Sequence, residues 1–184
     1  MMNLTIGDKV LISIFAALTA IGAFISIPIP YVPFTMQFFF SSMSGIILGG
    51  KKGALSQLLY IFIGLIGIPV FTKGGGPQYI FQPTFGYLIG LVLASYVIGR
   101  SVEKKKKNFR NLLLANYLGI IFIYLIGVTY FYLINKFYLG INMTISLAIY
   151  NGFLLTLPGD LMKSIITALV GTRVVNTIKL NLSV

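Results

Sequence analysis

Asp160 and Lys163 stand three residues apart in the stretch LTLPGDLMKS, Leu155 to Ser164. The chain has three acidic residues in all, Asp8, Glu103 and Asp160. One of them is therefore set in apolar sequence with a cation one helical turn away. On a helix, residues at i and i+3 share a face. Pro158 suits a first helical turn, where the missing N–H had no intrahelical partner. An Asp just after it meets the positive end of the helix dipole. A carboxylate beside an ammonium can grip a small molecule that has N–H donors and a carboxylate of its own. The same pair could also serve as a cap and an ion pair that ease insertion of the helix. Ionisable groups within membrane helices usually face an interior or a substrate path.

Other chemistries lack parts. The chain has no His and no Cys, which removes Ser-His-Asp triads, zinc sites, thiolate nucleophiles and disulfides. An aspartyl dyad needs a second acid near Asp160. Ser164 is adjacent to Lys163 and points elsewhere on a helix, which weakens a Ser–Lys pair. Neither GGKKGA nor TKGGGP supplies the GxxxxGK[ST] of a Walker A loop. The reading is of a binding protein, not an enzyme, with no cofactor and no metal. Uphill transport would need an ion gradient or a partner.

The elements that must position the pair are membrane helices. Of the 184 residues, 57% are hydrophobic and 9% charged, whereas soluble domains carry about 25% charged residues. Lipid is then much of the solvent, and runs of about 20 apolar residues become the units to find. Six apolar segments stand out, near 10–27, 35–50, 53–69, 83–99, 112–134 and 158–175. The proline turn PIPYVP, with Pro28, Pro30 and Pro33, ends the first. Its length argues for a retained helix rather than a signal peptide. The stretch 144–157 reads as an interfacial or re-entrant piece, because Pro158 and Gly159 interrupt it.

The net charge of +11 sits mainly at the ends of apolar runs, which fits cytoplasmic loops better than a nucleic-acid surface; no nucleic acid is expected. Six spans place Lys9, Lys51, Lys52, the block from Lys104 to Arg110, Arg173 and Lys179 on one side. The other side receives Lys73 and Lys136. The positive-inside rule makes the first side cytoplasmic. The expected fold class is an all-α polytopic membrane protein with six transmembrane helices and cytoplasmic N- and C-termini. One substrate-binding domain would cover 1–184, in a bacterial cytoplasmic membrane. Asp160 then begins the last helix at its outer end. The proline turn, the GGGPQ loop, and Gln82 and Tyr87 at the start of the fourth helix lie on that side too. They could converge on an outward-facing pocket.

Two further patterns concern packing and motion. The glycines of TKGGGPQYIFQPTFGY suit a flexible turn or a lid. Small residues let membrane helices approach closely. Gly45–Gly49 and Gly86–Gly90 read as contacts inside the monomer. Ala16 and Ala20, flanked by Ser13 and Ala17, could be a docking face for another protein.

Four stretches together resemble the BioY family, the biotin-specific S components of energy-coupling-factor (ECF) transporters. They are IPIPYVPFTMQ at Ile27–Gln37, LGGKKGALSQLLYIFIGLIGIPVF at Leu48–Phe71, PTFGYLIG at Pro83–Gly90 and LPGDLMK at Leu157–Lys163. The resemblance extends over most of the chain, and the fifth segment is its least telling part. It implies six helices that bind biotin near the outer face. It also implies partners: a transmembrane coupling subunit and two ATPases. The family's acid and lysine correspond to Asp160 and Lys163, and its PTFGY-type tyrosine to Tyr87. Its first-helix docking stripe corresponds to Ala16 and Ala20. Gln82 stands where some members have an arginine. The cation for biotin's carboxylate would then be Lys163 or Lys73. Asp160 would accept from the ureido N–H groups, and Tyr79, Phe81, Tyr87 and the proline turn would pack on ring and chain. A carrier for biotin or another small acid that works alone is the alternative reading.

Overall fold

The computed structural model describes residues 3–28 and 31–182, with side chains described as far as Thr177. Ile29 and Pro30 of the proline turn lie outside the described residues, as does the side chain of Lys179. Among the described residues, six principal helices form the protein: α1 (Ile6–Phe24), α2 (Gln37–Leu48), α3 (Gly50–Leu65), α4 (Phe85–Glu103), α5 (Phe109–Leu133) and α7 (Leu157–Leu182). A short α6 (Ile145–Ile149) precedes α7. The proline turn carries two short antiparallel strands, β1 (Ser26–Ile27) and β2 (Phe34–Thr35), with Ser26 opposite Thr35.

Four helical stretches are long and apolar enough to cross a membrane: Ile6–Phe24, Phe85–Glu103, Phe109–Tyr138 and Ile145–Thr177. The protein is thus a membrane protein. α2 and α3 are shorter, 12 and 16 residues. At 1.5 Å per residue they rise about 18 and 24 Å, less than the ~30 Å hydrocarbon core. They meet at one residue, Gly49, whose φ of 81° reverses the chain without a loop. The turn Pro77–Phe81 packs on α3 and α4, and β2 packs on α1.

The stretch 144–157 proves to be the helical lead into α7 rather than a separate re-entrant piece. α6 runs into a π-helical turn, Tyr150–Leu154, before α7 begins. A proline inside a helix ordinarily clashes with the carbonyl four residues back. Here α7 begins at Leu157, so Pro158 stands in its first turn, where its missing N–H has no intrahelical partner to lose. Another π-helical turn, Ile134–Tyr138, extends α5 beyond the expected end at 134.

Glycines set the helix spacing. A Cβ on Gly45 or Gly53 would meet α4 at Ser95, and one on Gly90 would meet the α5 backbone at Ile123. Both glycine pairs therefore act inside the monomer, as expected. Between these helices runs a buried polar seam. Ser41 donates to the Leu91 carbonyl at 3.0 Å, Ser44 and Ser95 share a 2.9 Å bond, and Asn116 accepts from Ser42. Such bonds hold helices together where no hydrophobic drive between them exists.

Two of the three acids fasten the basic end. Asp8 pairs with Lys52 at 2.6 Å. Glu103 pairs with Arg100 at 2.9 Å and accepts from the Gly50 N–H at 2.8 Å, closing the Gly49 turn onto α4.

The two alanines of the docking stripe expected on α1 differ in exposure. Ala16 is 2% exposed and belongs to the core with Phe15, while Ala20 is half-buried against that core. The small side chains bring α1 against its own neighbours; a Cβ on Gly22 would already meet Phe40. The small residues that α1 exposes are Gly7, Ser13 and Ala17.

Candidate binding site

Asp160, in the first turn of α7, is held from both sides. Lys163 Nζ lies 2.5 Å from Asp160 Oδ1, and the Tyr124 hydroxyl donates to Oδ2 at 2.5 Å. Tyr124 is in turn bonded to Thr156 Oγ1 at 2.9 Å. Lys163 also donates to the Thr35 carbonyl at 2.7 Å and sits 4.0 Å from the centre of the Phe34 ring. One ammonium thus ties α7 to β2, and one carboxylate ties α7 to α5. The side chains are 5% and 12% exposed for Lys163 and Asp160. That burial sets the orientation of the lysine. A lysine that only eased insertion would extend to the headgroups; this one is turned inward.

The pair forms part of the wall of a partly open cavity. Phe34, Thr35, Gln37, Tyr79, Tyr87 and Tyr124 contribute other parts of the wall. Leu88, Leu91 and Ile123 make an apolar side. Gln37 opens α2 at this wall and donates to the Tyr60 hydroxyl at 2.8 Å. Tyr87 packs over Gly127, where a side chain would collide with its ring, and donates to the Gly152 carbonyl at 2.7 Å.

Of the six residues expected to bind ligand, Asp160, Lys163, Tyr87 and Tyr79 come together here. Tyr79 is buried, with its hydroxyl 3.1 Å from that of Thr72. Lys73 and Gln82 do not line the cavity. Lys73 points to the exposed side of its loop while its neighbour Thr72 faces inward, and Gln82 is half-buried beyond Tyr79. Phe81 is exposed and stacks on Tyr138 with ring centres 4.7 Å apart. Sequence reasoning missed Tyr124, Thr156, Phe34 and Thr35. For Tyr124 the available signal was a polar tip in the apolar run IIFIYLIG, which membrane helices also use for packing.

The described residues thus form a helical membrane protein with a buried ion pair at the wall of an open cavity. Comparison with known proteins gives the family. The BioY family matches residues 1–180. The probable biotin transporter BioY of Lysinibacillus sphaericus is 45% identical over 168 residues, covering 89% of this chain and 84% of that protein. The biotin transporter BioY of Thermotoga maritima is 40% identical over 161 residues, 87% and 90% of the two chains. A crystal structure described as the S-component for biotin from an ECF-type ABC transporter aligns with a TM-score of 0.79 at 26% identity, covering 95% of each chain. The chain belongs to the BioY family. These relatives are transporters rather than enzymes.

Proposed function

We propose that this protein captures biotin at the outer face of a bacterial cytoplasmic membrane and delivers it inward. It does so as the substrate-specific subunit of an ECF-type ABC transporter, with all 184 residues forming one binding domain. The observation that carries this reading is the Lys163–Asp160–Tyr124 unit at the cavity wall. A carboxylate has about four lone-pair sites. Lys163 and Tyr124 engage one on each oxygen, so acceptor sites remain for the two N–H groups of a ureido ring. Lys163 has three donors; Asp160 and Thr35 take two, and the third suits the ureido carbonyl. Leu88, Leu91 and Ile123 offer an apolar wall for the thioether ring. Biotin is cargo here, and no resident cofactor is invoked.

The direct test is calorimetry of the purified protein with biotin, supported by mass spectrometry for co-purified biotin. Saturable binding, reduced when the ureido ring is replaced by the open diamine, is expected. Absence of binding to biotin would overturn the reading.

Energy must come from elsewhere, since no Walker loop is present. The likeness to an S-component from an ECF-type ABC transporter supports a transmembrane coupling subunit and two ATPase subunits as partners. With Ala16 buried in the core, Ser13 and Ala17 are exposed small residues at mid-α1 that can make that contact. The variant Ser13→Leu with Ala17→Leu should keep biotin binding and lose uptake in cells that hold the coupling subunits. Uptake at the wild-type rate would exclude this face. Wild-type uptake in cells lacking the coupling subunits would favour a carrier that works alone.

A further inference from the structure

We infer that the Thr84 hydroxyl, at the head of α4, binds the carboxylate end of the ligand. This rests on the reading of the cavity as a biotin site and assigns its second end.

Thr84 occupies the N-cap position of α4, where a Thr side chain ordinarily accepts from the N–H of the second or third helical residue. Thr5, Asn108 and Thr144 do this at the heads of α1, α5 and α6, with extended backbones of ψ 165°, 166° and 158°. Thr84 has a helical backbone, φ −82° and ψ −9°, and makes no side-chain cap bond. Its Oγ1 is buried without any protein partner, in a residue only 8% exposed. The same residue lines the cavity. A buried hydroxyl without a partner costs free energy that a ligand atom can recover. Thr84 therefore makes no capping bond, and its hydroxyl is buried and unpaired in a residue of the cavity lining.

Its position fits an anion. Among the described lining residues Lys163 is the cation, and it is already held by Asp160 and Thr35. Lys73, the other candidate, lies outside the lining. The head of α4 carries the positive end of a 19-residue helix, which favours negative charge. The spacing fits as well. Tyr87, one turn into α4, reaches Gly152, which precedes Asp160 by about two helical turns in its own stretch. Thr84 stands a further turn outward. By helical rise, roughly 10 Å or more of axial distance separates Thr84 from the ion pair. A ring held at Asp160 with an extended acid arm spans such a distance.

Calorimetry of wild type, Thr84→Val and Thr84→Ser with biotin and with its uncharged methyl ester tests this. Thr84→Val should lose about tenfold in affinity for biotin, the scale of one hydrogen bond to a charged group, and less than about twofold for the ester. Thr84→Ser, which keeps the hydroxyl, should restore most of the biotin affinity. Retained ester binding shows that the valine variant is folded. Equal loss for both ligands would place Thr84 at the ring or in the fold, and unchanged biotin affinity would remove it from the site; either overturns the inference alone. A wild-type protein that binds no biotin overturns the proposed function and this inference together.

Discussion

Lys163→Met is expected to lower stability by about 3–5 kcal/mol, the cost of removing one partner from a buried ion pair. Asp160 would keep Tyr124 but lose its cation inside a helical bundle, and the Thr35 carbonyl would lose its donor. Met fills nearly the same volume, so the loss reads the charge rather than a cavity. For a chain of this size the unfolding midpoint in detergent should fall by roughly 10 °C. Adding Asp160→Asn to the same chain removes the stranded charge and should restore part of the fall. Such non-additivity is the signature of direct coupling. A midpoint unchanged in Lys163→Met would mean that the ammonium and carboxylate reach water.

Asp160→Asn should weaken biotin binding by between tenfold and about a hundredfold, the range for a hydrogen bond to a charged group. An Asn offers one carbonyl oxygen and an NH₂ donor. The donor would face a ureido N–H, so attraction on that side becomes repulsion. The substitution also strands the Lys163 ammonium, so part of the change is a loss of stability. Measuring affinity in the paired Asp160→Asn, Lys163→Met background separates the two effects, because neither charge is then left alone. Calorimetry that finds wild-type affinity in both variants would remove Asp160 from the ligand contact.

The buried pair also explains how three acids are distributed. Asp8 and Glu103 neutralise lysine and arginine at the basic end, where α1, α3 and α4 meet. Asp160 has a different task and a different setting. It is the acid placed at the cavity, and α5, α7 and β2 are all anchored through it or its lysine. The Lys163–Thr35 bond also holds the strand that follows the proline turn against α7.

Properties carried by local sequence were legible without a structure. Composition named the solvent, because too few charges were available to cover a soluble surface. Apolar run length and lysine placement gave the helices and their ends, because each depends on residues close in the chain. Asp160 and Lys163 could be paired from spacing alone, since a helix puts i and i+3 together whatever surrounds it. The tertiary structure decided everything that joins distant segments. Tyr124 reaches Asp160 across 36 residues and Thr35 reaches Lys163 across 128, distances at which periodicity says nothing. It also decided direction. A stripe of small residues reads alike whether it faces a partner or its own core, and packing turned Ala16 inward. Pro158 stands in the first turn of α7, as local rules expect, whereas the helical turns that lead into it, Ile145–Leu154, were set by packing. Side chains on one helix are ordered by its own geometry; which face meets ligand, lipid or neighbour is set by the competition among all the helices for burial.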